Sequence, residues 1–412
     1  MRVLWICNIV VPEYSHVFNI KKNNVAGWIS GQLKALLDSD LRVEIGLVFP
    51  IYDVERRKDT QSDDVQIFSI DGNMNHLDRN DKYINQFIDI YEKFRPDIIQ
   101  IWGTEYKHAF YATMAANKIG LLSKVVVHIQ GIVTCYSSHF FDGVHYEWRK
   151  QIMEHYERFI EQGSLEEQTL KLVQNVLGRT EWDRGTTKLF NDSVNYLYCP
   201  EILRDAFYEN AGRWNYSECQ KHSIFISSAA YSIKGFHSFV EVIEIVRKKY
   251  PDIKVTIAGR NPIEANSEGE ISGYGKYISH LIDEKGIADS LQFTGMLTEE
   301  EMINHMLMAN VFVVPSLVEN SCNSLCEAMM LGVPIVATYT GGTPSMVDHG
   351  VTGLLYQGNA GYMGAYYIRE LFEDQELVMT LSKNGVQTAL RRHDRKTVTE
   401  GLLEIYKNLV YV

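Results

Sequence analysis

Two glutamates, Glu319 and Glu327, stand seven residues apart in a run that reads PSLVENSCNSLCEAMMLGVPIVATYTGGTPSMVDHGVTGLL from Pro315. The apolar stretch 311–314 before it reads as a strand, and a helix begins near Asn323 or Ser324. Glu319 then lies in the loop and Glu327 one turn into the helix. The free backbone N–H groups and the positive dipole end of a helix N-terminus favour an anion there, and a diphosphate fits. A carboxylate on the first turns can accept hydrogen bonds from vicinal hydroxyls, as acidic residues do with ribose. Read singly, Glu319 is a solvated loop charge and Glu327 a charge that compensates the dipole. A second phosphate element, Ser227 to Gly235, follows another strand and carries Lys234. A fixed cation at that place lowers the barrier to breaking a bond whose electrons collect on a phosphate oxygen. Glu105 follows the strand ending at Trp102 and faces the same kind of edge, which suits acceptor recognition.

These residues need strands to hold them. In open α/β sheets, ligands sit beyond the carboxyl ends of the strands, and the chain supplies such a frame twice. Short β-branched runs alternate with longer helical stretches, the pattern of parallel strands joined by crossovers. Strands are expected at 3–9, 43–48, 65–70, 98–102, 125–129, 176–177 and 194–197, and again at 223–227, 255–259, 291–294, 311–314, 334–338 and 353–355. Helices are expected at 27–37, 82–94, 236–250, 275–286, 299–308, 324–331 and 361–388. The aromatic, charged stretch 140–172 reads as one or two inserted helices, and the polar stretch 209–221 as a linker. At 412 residues, two domains are expected. The first is 1–205, the second 206–392, and a C-terminal helix at about 393–412 packs back on the first. The fold class is α/β, with two Rossmann-like, doubly wound parallel sheets.

Composition removes other classes. A formal net charge of −12 argues against a surface built for nucleic acid. The six cysteines show neither paired spacing nor a zinc pattern, as expected of reduced thiols in a cytoplasm. The N-terminal MRVLWICNIVVPEY reads as a buried strand, not as a leader or a membrane span. No G-x-G-x-x-G follows that strand, which disfavours a nicotinamide dehydrogenase.

The segment 315–355 resembles the signature of the retaining glycosyltransferases of family four, which have the GT-B fold of two Rossmann-like domains facing across a cleft. The shared features are the Glu319/Glu327 pair, Gly341-Gly342-x-Pro344 and Gly350-x-x-Gly353-Leu354-Leu355, with Phe293-Thr294-Gly295 upstream. The resemblance implies a nucleotide-sugar donor of UDP or GDP type and a glycan or lipid-linked acceptor, in cell-surface polysaccharide synthesis. Glu319 and Lys234 join His128 as its catalytic set, with Glu319 on a hydroxyl of the donor sugar and Lys234 on the leaving diphosphate. Glu327 contacts the ribose hydroxyls, and the backbone at Asn323, Ser324 and Leu325 cradles the phosphates. His128, at its strand end, contacts the transferred sugar near the reacting carbon. Gly27 and Trp28 occupy the place of the glycine loop after the first strand, which runs here from Lys22. The family usually has an Arg five residues before the Lys, where this chain has Ala229, and Arg260 at the next strand end is the expected replacement. The implied mechanism is same-face attack by the acceptor hydroxyl, with the leaving phosphate oxygen taking its proton. Neither a metal nor a cofactor is expected. A cytoplasmic enzyme is implied, in peripheral contact with the inner face of the membrane through Lys21, Lys22 or the aromatic region 136–148. A nucleotide-sugar epimerase of the same outline and a two-domain ligand-binding protein are the competing readings.

Overall fold

The computed structural model describes residues 1–21, 27–39, 43–62, 64–74 and 81–410. The loop from Lys22 to residue 26 therefore lies outside the described residues, Gly27 and Trp28 within them. The chain forms two compact units, one of 1–134, 159–204 and 393–412, the other of 135–158 and 205–392.

The first unit is built on an eight-stranded sheet. Its strands are β1 (Arg2–Ile6), β2 (Glu44–Ile51), β3 (Thr60–Ser62), β4 (Val65–Asp71), β5 (Ile98–Trp102), β6 (Val125–His128), β7 (Asn175–Gly178) and β8 (Asn195–Tyr198). Their order is β3-β4-β2-β1-β5-β6-β7-β8. All pair in parallel except β3, which runs antiparallel to β4. Strands β1, β5 and β6 are mostly apolar and almost wholly buried, as in a parallel sheet covered on both faces. The helix Asp81–Phe94 buries Tyr83, Phe87, Ile90, Tyr91 and Phe94 on one face. It stops where Arg95 takes φ +50° before Pro96, which cannot continue a helix. The C-terminal helix Arg395–Val410 belongs to this unit and places Leu402, Leu403 and Tyr406 in its core. The Tyr406 hydroxyl accepts from Trp5 Nε1 at 3.0 Å and donates to Gln100 Oε1.

The second unit has six parallel strands, β9 (Ser223–Ile226), β10 (Lys254–Ala258), β11 (Leu291–Gly295), β12 (Val311–Val314), β13 (Ile335–Thr338) and β14 (Leu354–Tyr356). Their order is β11-β10-β9-β12-β13-β14. The direction of winding reverses between β9 and β12, which pair through Val311↔Ile224 and Phe312↔Phe225. Connections leave that point in opposite senses, so a crevice opens beyond the carboxyl ends of these two strands.

Several expected boundaries move. Residues 135–158 leave the expected first domain, 1–205, and join the second unit. His237 Nε2 bonds the Asp142 carbonyl at 2.8 Å, Tyr277 OH donates to the Gly143 carbonyl at 3.3 Å, and Trp148 stacks on His280. These partners lie more than 90 residues away in sequence, so helical periodicity in 140–172 carries no sign of them. The expected linker 209–221 is also part of the second unit. Gly212 N and Trp214 N donate to Met330 O and Leu331 O, each at 2.9 Å, and Trp214 Nε1 donates to Ala309 O at 2.7 Å. Polar composition concealed a segment held by backbone bonds. The expected helix 361–388 is two, Gly361–Glu373 and Gln375–Arg392, divided at Asp374, whose carboxylate accepts from Leu377 N.

Candidate functional site

The crevice between β9 and β12 gathers most of the residues singled out in the second unit. The turn Ser232–Lys234 after β9 ends at Gly235, whose φ of +69° is the left-handed region that glycine adopts freely. A Cβ on Gly235 would stand 1.9 Å from the Pro315 carbonyl oxygen. The loop after β12 therefore lies directly on this turn, and Leu317 N bonds Ile233 O at 2.8 Å. Lys234 Nζ in consequence meets Glu319 Oε2 at 2.8 Å, with side chains 23% and 13% exposed. Ser316 Oγ donates to the same carboxylate oxygen at 3.2 Å. Burial disfavours the Lys234 ammonium, but Glu319, aided by Tyr231 and Cys322, outweighs it and holds the pKa well above the ordinary lysine value.

Glu319 is fixed from behind by the loop after β13. Gly342 N donates to Glu319 O at 2.8 Å, and Gly341, at φ +49°, approaches so closely that a Cβ would lie 2.0 Å from that oxygen. This is the physical need for glycine at 341, while Gly342 supplies its N–H. Thr340 Oγ1 and Thr338 Oγ1 each donate at 2.6 Å, to Leu317 O and Ser316 O.

The helix Asn323–Leu331 starts beside this pair. Its N-cap, Cys322, makes no side-chain capping bond. Ser324 Oγ lies 2.8 Å from Ser227 Oγ and 3.3 Å from Cys322 Sγ, which ties the helix start to the end of β9. Ser227 opens the expected phosphate element, but nothing in the sequence signals its partner 97 residues away. Leu325 N already bonds Cys322 O at 3.0 Å, so its N–H is turned into the helix and away from a ligand. Asn323 Oδ1 has no hydrogen-bond partner. Glu327 faces inward and is only 4% exposed. Ala229 is fully buried. Arg260 stands exposed one residue beyond Gly259, whose Cα side lies against the Ser227 carbonyl, with a built Cβ 3.3 Å from it. Arg260 thus shares the strand-end edge of Lys234 without touching the Lys234–Glu319 pair.

In the first unit, His128 ends β6 and Glu105 follows β5, its neighbour in the sheet. Gly103 N bonds His128 O at 2.8 Å, and the Trp102 and His128 rings lie 4.6 Å apart. His128 is fully buried, with the Cys199 backbone beside its ring. Burial, with Arg179 beside it, pushes its pKa down to about 3, so the ring is neutral. Arg179 itself donates to Gln130 O at 2.8 Å and pairs with Glu201 at 3.4 Å. Glu166 accepts from Thr104 Oγ1, Val133 N, Thr134 N and Thr134 Oγ1. Gly27 opens the helix Gly27–Leu37 against Arg204, and Trp28 is packed on the core of this unit.

The two sheets define the class of fold. The chain has the GT-B fold: it superposes on sucrose-phosphate synthase from Thermosynechococcus elongatus with a TM-score of 0.71, at 14% identity, over 99% of each chain. It likewise matches Alr3699/HepE of Anabaena, solved with UDP and glucose, with a TM-score of 0.65 and 16% identity over 99% of each. Residues 210–388 match the family model for glycosyl transferases group 1. Sequence relatives include the putative glycosyltransferase YtcC of Bacillus subtilis, 27% identical over 218 residues, 52% of each chain. Another is a GDP-mannose-dependent alpha-(1-6)-phosphatidylinositol monomannoside mannosyltransferase of Mycobacterium tuberculosis, 27% identical over 159 residues, 37% of this chain and 38% of that one. The chain therefore spans about half the length, or less, of these relatives. Among the described residues no helix is long and apolar enough to cross a membrane.

Proposed function

We propose that the protein is a glycosyltransferase that moves a sugar from a nucleoside-diphosphate sugar, of UDP or GDP type, to a hydroxyl of a glycan or lipid-linked acceptor. The observation that carries this reading is the Lys234–Glu319 pair at the switch point of the second sheet, beside a helix start that no side chain caps. Lys234 and that helix end supply positive potential for a diphosphate. Glu319, set by the Gly341-Gly342 loop, offers a carboxylate to a sugar hydroxyl, and Glu327 offers one to the ribose. Asn323 and Ser324 border the phosphates, and Arg260 adds the cation that Ala229 cannot. His128, neutral, contacts the transferred sugar, while Gly27, Trp28 and Glu105 serve the acceptor side. Transfer proceeds with retention and without a metal or cofactor, because Lys234 neutralises the leaving group at the point where charge develops. The enzyme works in the cytoplasm, at the inner face of the membrane where a lipid-linked acceptor resides.

The test is calorimetry with UDP, GDP, UDP-glucose and GDP-mannose, coupled to release of the nucleoside diphosphate. One nucleotide series binds the wild type, and Lys234→Ala weakens it and lowers transfer about 100-fold or more, the scale set by loss of one preorganised electrostatic contact. Absence of binding by every member overturns the reading.

A further inference from the structure

Among the described residues, every hydrogen bond to the Glu319 carboxylate falls on one of its two oxygens. Lys234 Nζ at 2.8 Å and Ser316 Oγ at 3.2 Å both donate to Oε2. Oε1 receives none of them, and the side chain keeps 13% of its surface open. The two donors differ in kind. Lys234 carries its charge on a flexible four-carbon stem, and a diphosphate entering the crevice competes for it. Ser316 is neutral, only 2% exposed, and lies three residues before Glu319 in the loop after β12. Its backbone is anchored, since Thr338 Oγ1 donates to Ser316 O and Thr340 Oγ1 to Leu317 O, each at 2.6 Å. The last torsion of a glutamate is broad and only weakly set by rotamer preference. Gly342 N holds the main chain of Glu319 but not that torsion, so the direction of the carboxylate comes from Lys234 and Ser316.

We infer that Ser316 is a positioning residue for Glu319: its hydroxyl holds Oε2 and thereby presents Oε1 to a hydroxyl of the donor sugar. This rests on the glycosyltransferase reading above, and names the group that steadies the carboxylate once Lys234 has turned to the phosphates. The ion pair alone does not suffice for that. When a diphosphate binds, Lys234 divides its charge between phosphate and carboxylate, and a carboxylate held only by that ammonium is drawn toward anions that repel it. The serine hydroxyl has no such conflict. A hydrogen bond to an ionised acceptor is about twice as strong as one between neutral groups, and burial of Ser316 keeps water from replacing it. Two tasks are thereby separated within one loop. Lys234 serves the diphosphate, and Ser316 serves the sugar by acting through Glu319.

Calorimetry tests this by comparing UDP with UDP-glucose, UDP-galactose and UDP-N-acetylglucosamine, and GDP with GDP-mannose. The quantity read is the affinity for the tightest-bound sugar nucleotide divided by the affinity for its own diphosphate. Ser316→Ala lowers that ratio about tenfold, the scale of one lost hydrogen bond to a charged group, while the diphosphate alone binds within about twofold of the wild type. Glu319→Ala lowers the ratio as well, and adding Ser316→Ala to it lowers the ratio no further, as expected of two residues that act as one unit. Ser316→Thr, which keeps the hydroxyl, recovers most of the loss. Melting of each variant monitors folding. An unchanged ratio in Ser316→Ala overturns this inference alone, including the case in which both affinities fall together, the mark of a merely structural serine. Additive losses in the double variant do the same. Failure to bind any nucleotide overturns the glycosyltransferase reading, and this inference with it.

Discussion

Replacing Glu319 by Gln separates the two partners of the central ion pair. In the wild type, Lys234 and Glu319 cancel each other at 2.8 Å. A diphosphate that approaches Lys234 must also meet the Glu319 carboxylate. The substitution keeps the shape and removes that repulsion. A unit charge about 4 Å from a phosphate oxygen is worth about 1 kcal/mol in water and about 4 kcal/mol at an effective dielectric constant near 20. With the pair neither fully exposed nor fully buried, about 2 kcal/mol is the working figure, or roughly 30-fold in affinity. The nucleoside diphosphate, UDP or GDP, should therefore bind Glu319→Gln about 30-fold more tightly than the wild type, and added salt should shrink the gain. The matching sugar nucleotide gains less, because Glu319 no longer holds its sugar hydroxyl, and turnover falls. Without ligand the variant is less stable by about 1–3 kcal/mol, since a half-buried ammonium loses its counter-charge, a loss reduced by solvent screening. Calorimetry with both nucleotides and a urea melt measure these effects. Unchanged or weaker diphosphate binding in Glu319→Gln would refute the placement of the phosphates at Lys234.

Two further substitutions test the supports of the site. Gly235→Ala forces a Cβ onto the Pro315 carbonyl at a φ of +69°, so it should cost about 2 kcal/mol or more in urea and weaken nucleotide binding. Removal of Nδ1 and Nε2 in His237→Phe tests the docking of 135–158. His237 is buried and its pKa is lowered to about 4 by desolvation, so between about pH 6.5 and 4 the unfolded chain binds more protons and stability falls with acid. The variant should lose stability at pH 7, where the bonds to Asp142 O and Tyr274 OH disappear, and show a shallower decline of melting temperature from pH 7 to 5.

Much of the cluster at the β9–β12 crevice was legible before the fold, and the reason lies in sequence distance. Glu319, Asn323, Ser324 and Glu327 fall on one strand-loop-helix segment, so local pattern places them together. The two glycines at 341 and 342 were visible as a motif, although the purpose of Gly341, close approach to the Glu319 carbonyl, was not. Partners brought in from elsewhere left weaker traces. Ser227 carries no mark of its bond to Ser324, and Leu325 reads as a phosphate donor until its N–H is found engaged with Cys322. The strand Thr60–Ser62 is short, polar and exposed, with no alternation to announce it, and exists only because β4 offers an edge.

By itself the sequence determined that two α/β sheets form, because continuous apolar strands and amphipathic helices can bury their surfaces in few other ways. It also determined which loops carry charge at the strand ends. Only the tertiary structure decided which of those charges meet. It joined Lys234 to Glu319 across 85 residues, assigned 135–158 to the second unit, and buried His128 beside Arg179. Burial, pKa and hydrogen-bond partners depend on distances that a linear chain does not specify, and the chemistry of this protein is set by those distances.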